Sequence, residues 1–147
     1  MTRTVSLVVV LAACSNHADV HVDAPRADAA ADAASGSKVC ATGHTEKLKF
    51  TYAASCGNDG GVEFCIPAND ASTIDAVTAV SSTITCNAGG GRAMCNATPG
   101  LLLCSYPTSY PGECTTQYGA MTDKVWADMC QLVTLPQITE IVPTILE

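Results

Sequence analysis

Nine cysteines in 147 residues constrain this chain more than any other feature. Eight of them, Cys40, Cys56, Cys65, Cys86, Cys95, Cys104, Cys114 and Cys130, share one stretch, and Cys14 stands apart near the N-terminus. Such density belongs to an oxidising compartment, where a small domain short of core is braced covalently. Four disulfides are therefore expected, each contributing about 2–4 kcal/mol by restricting the unfolded chain. Eight cysteines allow about a hundred pairings, and local sequence favours only Cys56 with Cys65, across an expected hairpin. No Cys-x-x-Cys occurs, so the zinc-ribbon, thioredoxin-like and c-type haem signatures are all missing, and no metal or cofactor is expected.

The isolated cysteine has its own context. Met1-Thr2-Arg3 gives a positive start, and Val5 to Ala13 is an apolar run broken only by Ser6. That is the layout of a signal peptide, and the run is much shorter than the roughly 20 apolar residues a membrane-spanning helix needs. It ends Leu11-Ala12-Ala13-Cys14-Ser15. These residues resemble the lipobox of bacterial lipoproteins, in which a branched residue and two small ones precede an obligatory cysteine. The resemblance implies cleavage after Ala13, attachment of diacylglycerol to the Cys14 sulfur and acylation of the new amino group. Several acyl chains anchor stably where one gives only marginal binding. Ser15 in place of Asp implies onward transport to the outer membrane.

Residues 1–13 thus read as a signal peptide and 14–37 as a lipidated cysteine followed by a tether. The tether is built from Ala, Asp and small polar residues with no aromatic, so it cannot bury a core and is expected to be disordered. Asp19, Asp23, Asp28 and Asp32 outnumber Arg26. Fully stretched it reaches on the order of 75 Å, and about 25–30 Å as a coil. His17 and His21 alternate with carboxylates but are read as spacer residues. Over the whole chain 7 Lys and Arg face 14 Asp and Glu, which disfavours nucleic acid as a partner.

Residues 38–147 read as one α+β domain: a β-hairpin, a short sheet and two helices, held by disulfides. Lys47 to Tyr52 alternates with period two, and so does Val62 to Ile66 beyond the turn signal at 57–61. This predicts the hairpin, with Leu48, Phe50 and Tyr52 facing the core. Ile74, Val77, Val80 and Ile84 recur at helical spacing behind a capping Asn69 or Asp70, predicting a helix over 70–83. Leu101 to Tyr106 and a run through Ala93 and Met94 are strand candidates. A second helix is expected from Thr122 or Asp123 to Leu132 with Val125, Trp126, Met129 and Cys130 on its apolar stripe, and a further helical turn at Ile138 to Val142.

Candidate chemistry is sparse. The domain has one histidine, His44, near Cys40, and no Gly-x-Ser-x-Gly elbow, so neither a serine nor a cysteine hydrolase is marked by a motif. Gly89-Gly90-Gly91-Arg92 could cradle an anion but lacks the ending of a phosphate loop. Trp126 is expected in the core, packed on a disulfide. Tyr106 and Tyr110, in a proline-punctuated loop, are the candidate contact surface, because tyrosine joins an apolar ring to a hydrogen-bonding tip. The alternative is that they pin the loop to the domain. The expected function is a non-catalytic binding or structural module, lipid-anchored at the cell envelope and exposed to an envelope protein or glycan. A small exported hydrolase and an inhibitor of exported proteases, using the Tyr106 to Cys114 loop, are the alternatives.

Overall fold

A computed structural model describes residues 38–57 and 61–144, all within one compact unit. The residues read as a signal peptide, Cys14 and a tether, the tip of the 57–61 turn and residues 145–147 lie outside the described residues. The fold is α+β: a four-stranded antiparallel sheet, two α-helices and four disulfides.

The central strand β1 (Val62–Pro67) shows why period two matters. Val62, Phe64 and Ile66 are fully buried on one face. Glu63 and Cys65 point to the other, which the 89–95 loop covers through an Arg92 N–H donated to Glu63 Oε2 at 2.6 Å and the Cys65–Cys95 disulfide. The partners of β1 are β3 (Leu101–Tyr106) and β4 (Ile141–Pro143), and β2 (Thr85–Asn87) closes the order β2-β3-β1-β4. In β2 and β3, Cys86 lies directly opposite Cys104 and is bonded to it. Gly61 enters β1 at φ 104°, so close to the Tyr106 carbonyl that a Cβ has no room.

Helix α1 (Ala71–Val80) starts where Asp70 accepts hydrogen bonds from Thr73 N at 3.1 Å and from the Ser72 and Thr73 hydroxyls. Those donors hold the Asp70 carboxyl down at about 2. Helix α2 (Asp123–Leu132) buries Val125, Trp126, Met129 and Leu132, a three-and-four spaced stripe. Both helices and the strands β1 and β3 form where the periodicities put them, although α1 stops at Val80, three residues short of the expected 83, and leaves Ile84 outside it.

Three local expectations are corrected. The Lys47–Tyr52 strand does not form. Two short 3-10 turns, Thr45–Lys47 and Tyr52–Ala54, flank an extended piece that makes a single parallel bridge, Leu48 to Ile141. No hairpin with β1 is possible, because β3 and β4 occupy both edges of that strand. The inward residues are nonetheless those the alternation marked: Leu48 is buried, and Phe50 and Tyr52 pack against the core. The Ala93–Met94 run is a turn into the 3-10 segment Cys95–Ala97, with Met94 at φ 53°, outside strand geometry. The third correction is β4 itself, expected as a helical turn. Ile141 and Val142 are β-branched, and pairing with the open edge of β1 outweighs a spacing that also fits a helix. Pro143, which has no N–H, sits at the strand's last position.

With the hairpin gone, Cys56 and Cys65 do not pair. The bonds are Cys40–Cys130, Cys56–Cys114, Cys65–Cys95 and Cys86–Cys104. They are nested: the first encloses the second, the second encloses the other two, and those two cross.

Candidate functional site

The two tyrosines singled out in the sequence part company. Tyr106 is the last residue of β3 and only 2% exposed, so it is not a contact surface. Its hydroxyl donates to Asp128 Oδ2 at 2.8 Å, and Lys124 donates to the same oxygen at 3.0 Å. Burial, reinforced by the Asp128 carboxylate, pushes the Tyr106 hydroxyl up to about 12. This network ties β3 to α2. Tyr110 is 56% exposed on a turn closed by the N–H groups of Glu113 and Cys114 on the Ser109 carbonyl and by Ser109 Oγ on Glu113 at 2.9 Å.

The other candidates are accounted for within the fold. All eight cysteines of the domain are bonded, so none is a thiolate. His44, in the left-handed region at φ 60°, is exposed with Nδ1 3.3 Å from Glu46 Oε1. In the glycine turn the anion is internal. The Glu63 carboxylate accepts the Arg92 N–H and lies so close to Gly91 that a Cβ would collide with it. Among the described residues no group of three or more His, Cys, Asp or Glu is placed to hold a metal, and no helix is long and apolar enough to cross a membrane.

A groove of about 340 Å³ opens elsewhere, at the N-terminal edge of the domain. That volume lies at the lower end of the range of small-molecule sites. Leu48, Phe50, Tyr52 and Trp126 give it an apolar and aromatic lining, with Lys38, Val39 and Glu46 around it. The extended piece after the first 3-10 turn supplies Phe50, the second 3-10 turn opens with Tyr52, and α2 supplies Trp126 from its first turn. The Cys40–Cys130 bond pulls the start of the domain onto α2 and so sets Lys38 over the groove.

The rings pack edge to face. Tyr52 and Trp126 have centroids 5.0 Å apart at 78°, and Phe50 and Trp126 are 6.3 Å apart at 76°. Lys38 Nζ sits 4.9 Å from the Tyr52 centroid and donates to Asp123 Oδ1 at 2.6 Å. Tyr52 donates its hydroxyl to the same oxygen at 3.3 Å. The Asp123 hydrogen bond raises the Lys38 ammonium, and Lys38 in turn lowers the Asp123 carboxyl. Trp126 is 3% exposed, and its indole N–H has no hydrogen-bond partner among the described residues.

The sequence pointed to the tyrosine loop and missed this groove. One signal was available, since alternation already aligned Leu48, Phe50 and Tyr52. What it lacked was the covalent link that brings α2 against them.

No protein-family model, no curated protein and no solved structure matches the chain. Its function is therefore argued from its own residues.

Proposed function

We propose that the chain is an exported bacterial lipoprotein, anchored by acyl chains on Cys14 and presenting residues 38–147 as a non-catalytic binding module at the cell envelope, on the outer membrane. Its binding site is the Lys38–Trp126 groove. One observation carries the reading. The four disulfides use all eight cysteines of the domain, which leaves Cys14, in Leu11-Ala12-Ala13-Cys14, as the one cysteine with no place in the framework. Export explains the eight and lipidation the ninth. Lys38 and Val39, just ahead of Cys40, line the groove.

Labelled fatty acid is expected to enter the wild type and not Cys14→Ser. Equal labelling of both would refute the anchor. A hydrolase is the competing reading, with His44 and Glu46 as its base and orienting carboxylate. Turnover of chromogenic ester, glycoside or peptide substrates that disappears in His44→Ala would replace the binding module with an enzyme. The exposed Tyr110 turn, tied down by Cys114–Cys56, is the feature that suits a protease inhibitor. Titrating exported serine proteases with the protein tests it, and unchanged proteolysis removes that role.

A further inference from the structure

The groove already holds a cation. Lys38 projects its ammonium over the Tyr52 face while donating to Asp123, so one positive group is met by a ring and a carboxylate together. Aromatic faces carry the negative end of the ring quadrupole and attract cations within about 6 Å of the centroid. Phe50 and Tyr52 both stand nearly perpendicular to Trp126, which makes a three-ring corner open to the groove. A second carboxylate, Glu46, lies in the lining. The surrounding field has the same sign, since residues 38–147 carry a net charge of −5.

The present occupant is weakly held. The Lys38–Asp123 pair is solvent-exposed, with side chains 40% and 84% accessible, and exposed ion pairs contribute little. Lys38 also belongs to the short irregular segment ahead of Cys40, beside a Val39 that is 68% exposed. A ligand of the same charge can take its place. A primary ammonium needs three hydrogen-bond acceptors, whereas an N-methylated one is bulkier, less hydrated and better matched to rings and the Leu48 side chain.

We propose that this groove binds an N-methylated or quaternary alkylammonium group, for which the Lys38 side chain is the resident stand-in. The proposal rests on the groove being the module's binding site and adds the chemistry of the ligand. Lys38 then acts as a built-in competitor, so removing it strengthens binding.

Trp126 is the only tryptophan, and its emission reports directly on the groove. The full chain in maltoside detergent is titrated with choline and with 3,3-dimethylbutan-1-ol, the neutral isostere of choline. Choline is expected to bind Lys38→Ala about tenfold more tightly than the wild type, and Tyr52→Leu and Asp123→Asn, each in the Lys38→Ala background, are expected to weaken it about tenfold. The isostere is expected to bind no variant. Phosphatidylcholine vesicles against phosphatidylglycerol vesicles distinguish a lipid headgroup from a free cation as the source. Equal binding of choline and its isostere would leave a binding groove but overturn the cation assignment. Absence of any choline response in Lys38→Ala would overturn it too, and so would full retention of binding in the Asp123→Asn form, whose substitution is on the exposed first turn of α2. None of these results bears on fatty-acid labelling of Cys14.

Discussion

Nested disulfides should contribute almost equally, although the residues they join are 90, 58, 30 and 18 positions apart. Loop-closure entropy for an isolated bond grows with the logarithm of the loop it closes. Taken alone, Cys40–Cys130 would be worth about 4.6 kcal/mol and Cys86–Cys104 about 3.2 kcal/mol. In this chain the outer bond does not close a long loop. With Cys56–Cys114 in place, the shortest ring through it runs along Cys40–Cys56 and Cys114–Cys130, about 34 residues, which corresponds to about 3.8 kcal/mol. The same reasoning gives rings of about 30 residues for Cys56–Cys114 and Cys65–Cys95, about 3.6–3.7 kcal/mol each. Removing any one pair as a double Cys→Ala variant is therefore expected to cost about 3.2–3.8 kcal/mol. The assay is urea unfolding of the four variants, each with its remaining bonds confirmed by mass spectrometry, and the fully oxidised wild type weighing eight hydrogens less than its reduced form. If losing Cys40–Cys130 costs at least about 1 kcal/mol more than losing Cys86–Cys104, the bonds act as independent loops and not as shared rings. A second check removes Cys56–Cys114 first, which lengthens the outer ring to about 62 residues and should raise the outer bond's contribution by about 0.5 kcal/mol.

The Tyr106 network gives an alkaline signature. The folded state keeps the hydroxyl proton to about 12 while the unfolded chain releases it near 10. Its contribution is therefore complete below pH 10 and lost between pH 10 and 12. The stability difference between wild type and Tyr106→Phe, about 1–2 kcal/mol at neutral pH from a buried bond to a carboxylate, should shrink over that window. A constant difference from pH 9 to 12 would show that the tyrosine does not titrate as described. Glycine positions separate strain from collision. At Gly43, with φ 79° and no atom within 4 Å of a Cβ, alanine should cost about 1–2 kcal/mol. At Gly61 the added Cβ meets backbone, and alanine should cost well beyond that in the same urea assay. Equal costs would mean the Gly61 approach to β3 is not tight.

Whatever local periodicity encodes was legible: α1 behind Asp70, the α2 stripe through Trp126, and the alternation of β1 and β3. Partner choice was not. Lys47–Tyr52 carries a strand's alternation, but only the finished sheet shows that both edges of β1 are already filled. Ile138, Ile141 and Val142 follow helical spacing, and the open edge of β1 overrides it. Pro107 makes Tyr106 read as part of the loop, although it shares a face with the buried Cys104 two residues earlier. The groove needs residues 38–52 against α2, and that contact depends on Cys40–Cys130, one pairing among many that the sequence leaves open.

That bond also decides where tension goes. A tug on the N-terminal segment reaches Cys40 after only Lys38 and Val39, crosses to Cys130, and leaves the chain from Cys56 to Cys114, with β1, α1, β2 and β3, out of the line of force. Pulled from that end, the chain between Cys56 and Cys114 carries no load while the Cys40–Cys130 and Cys56–Cys114 bonds are intact. The only described residues such a pull can lift freely are the two beside the groove.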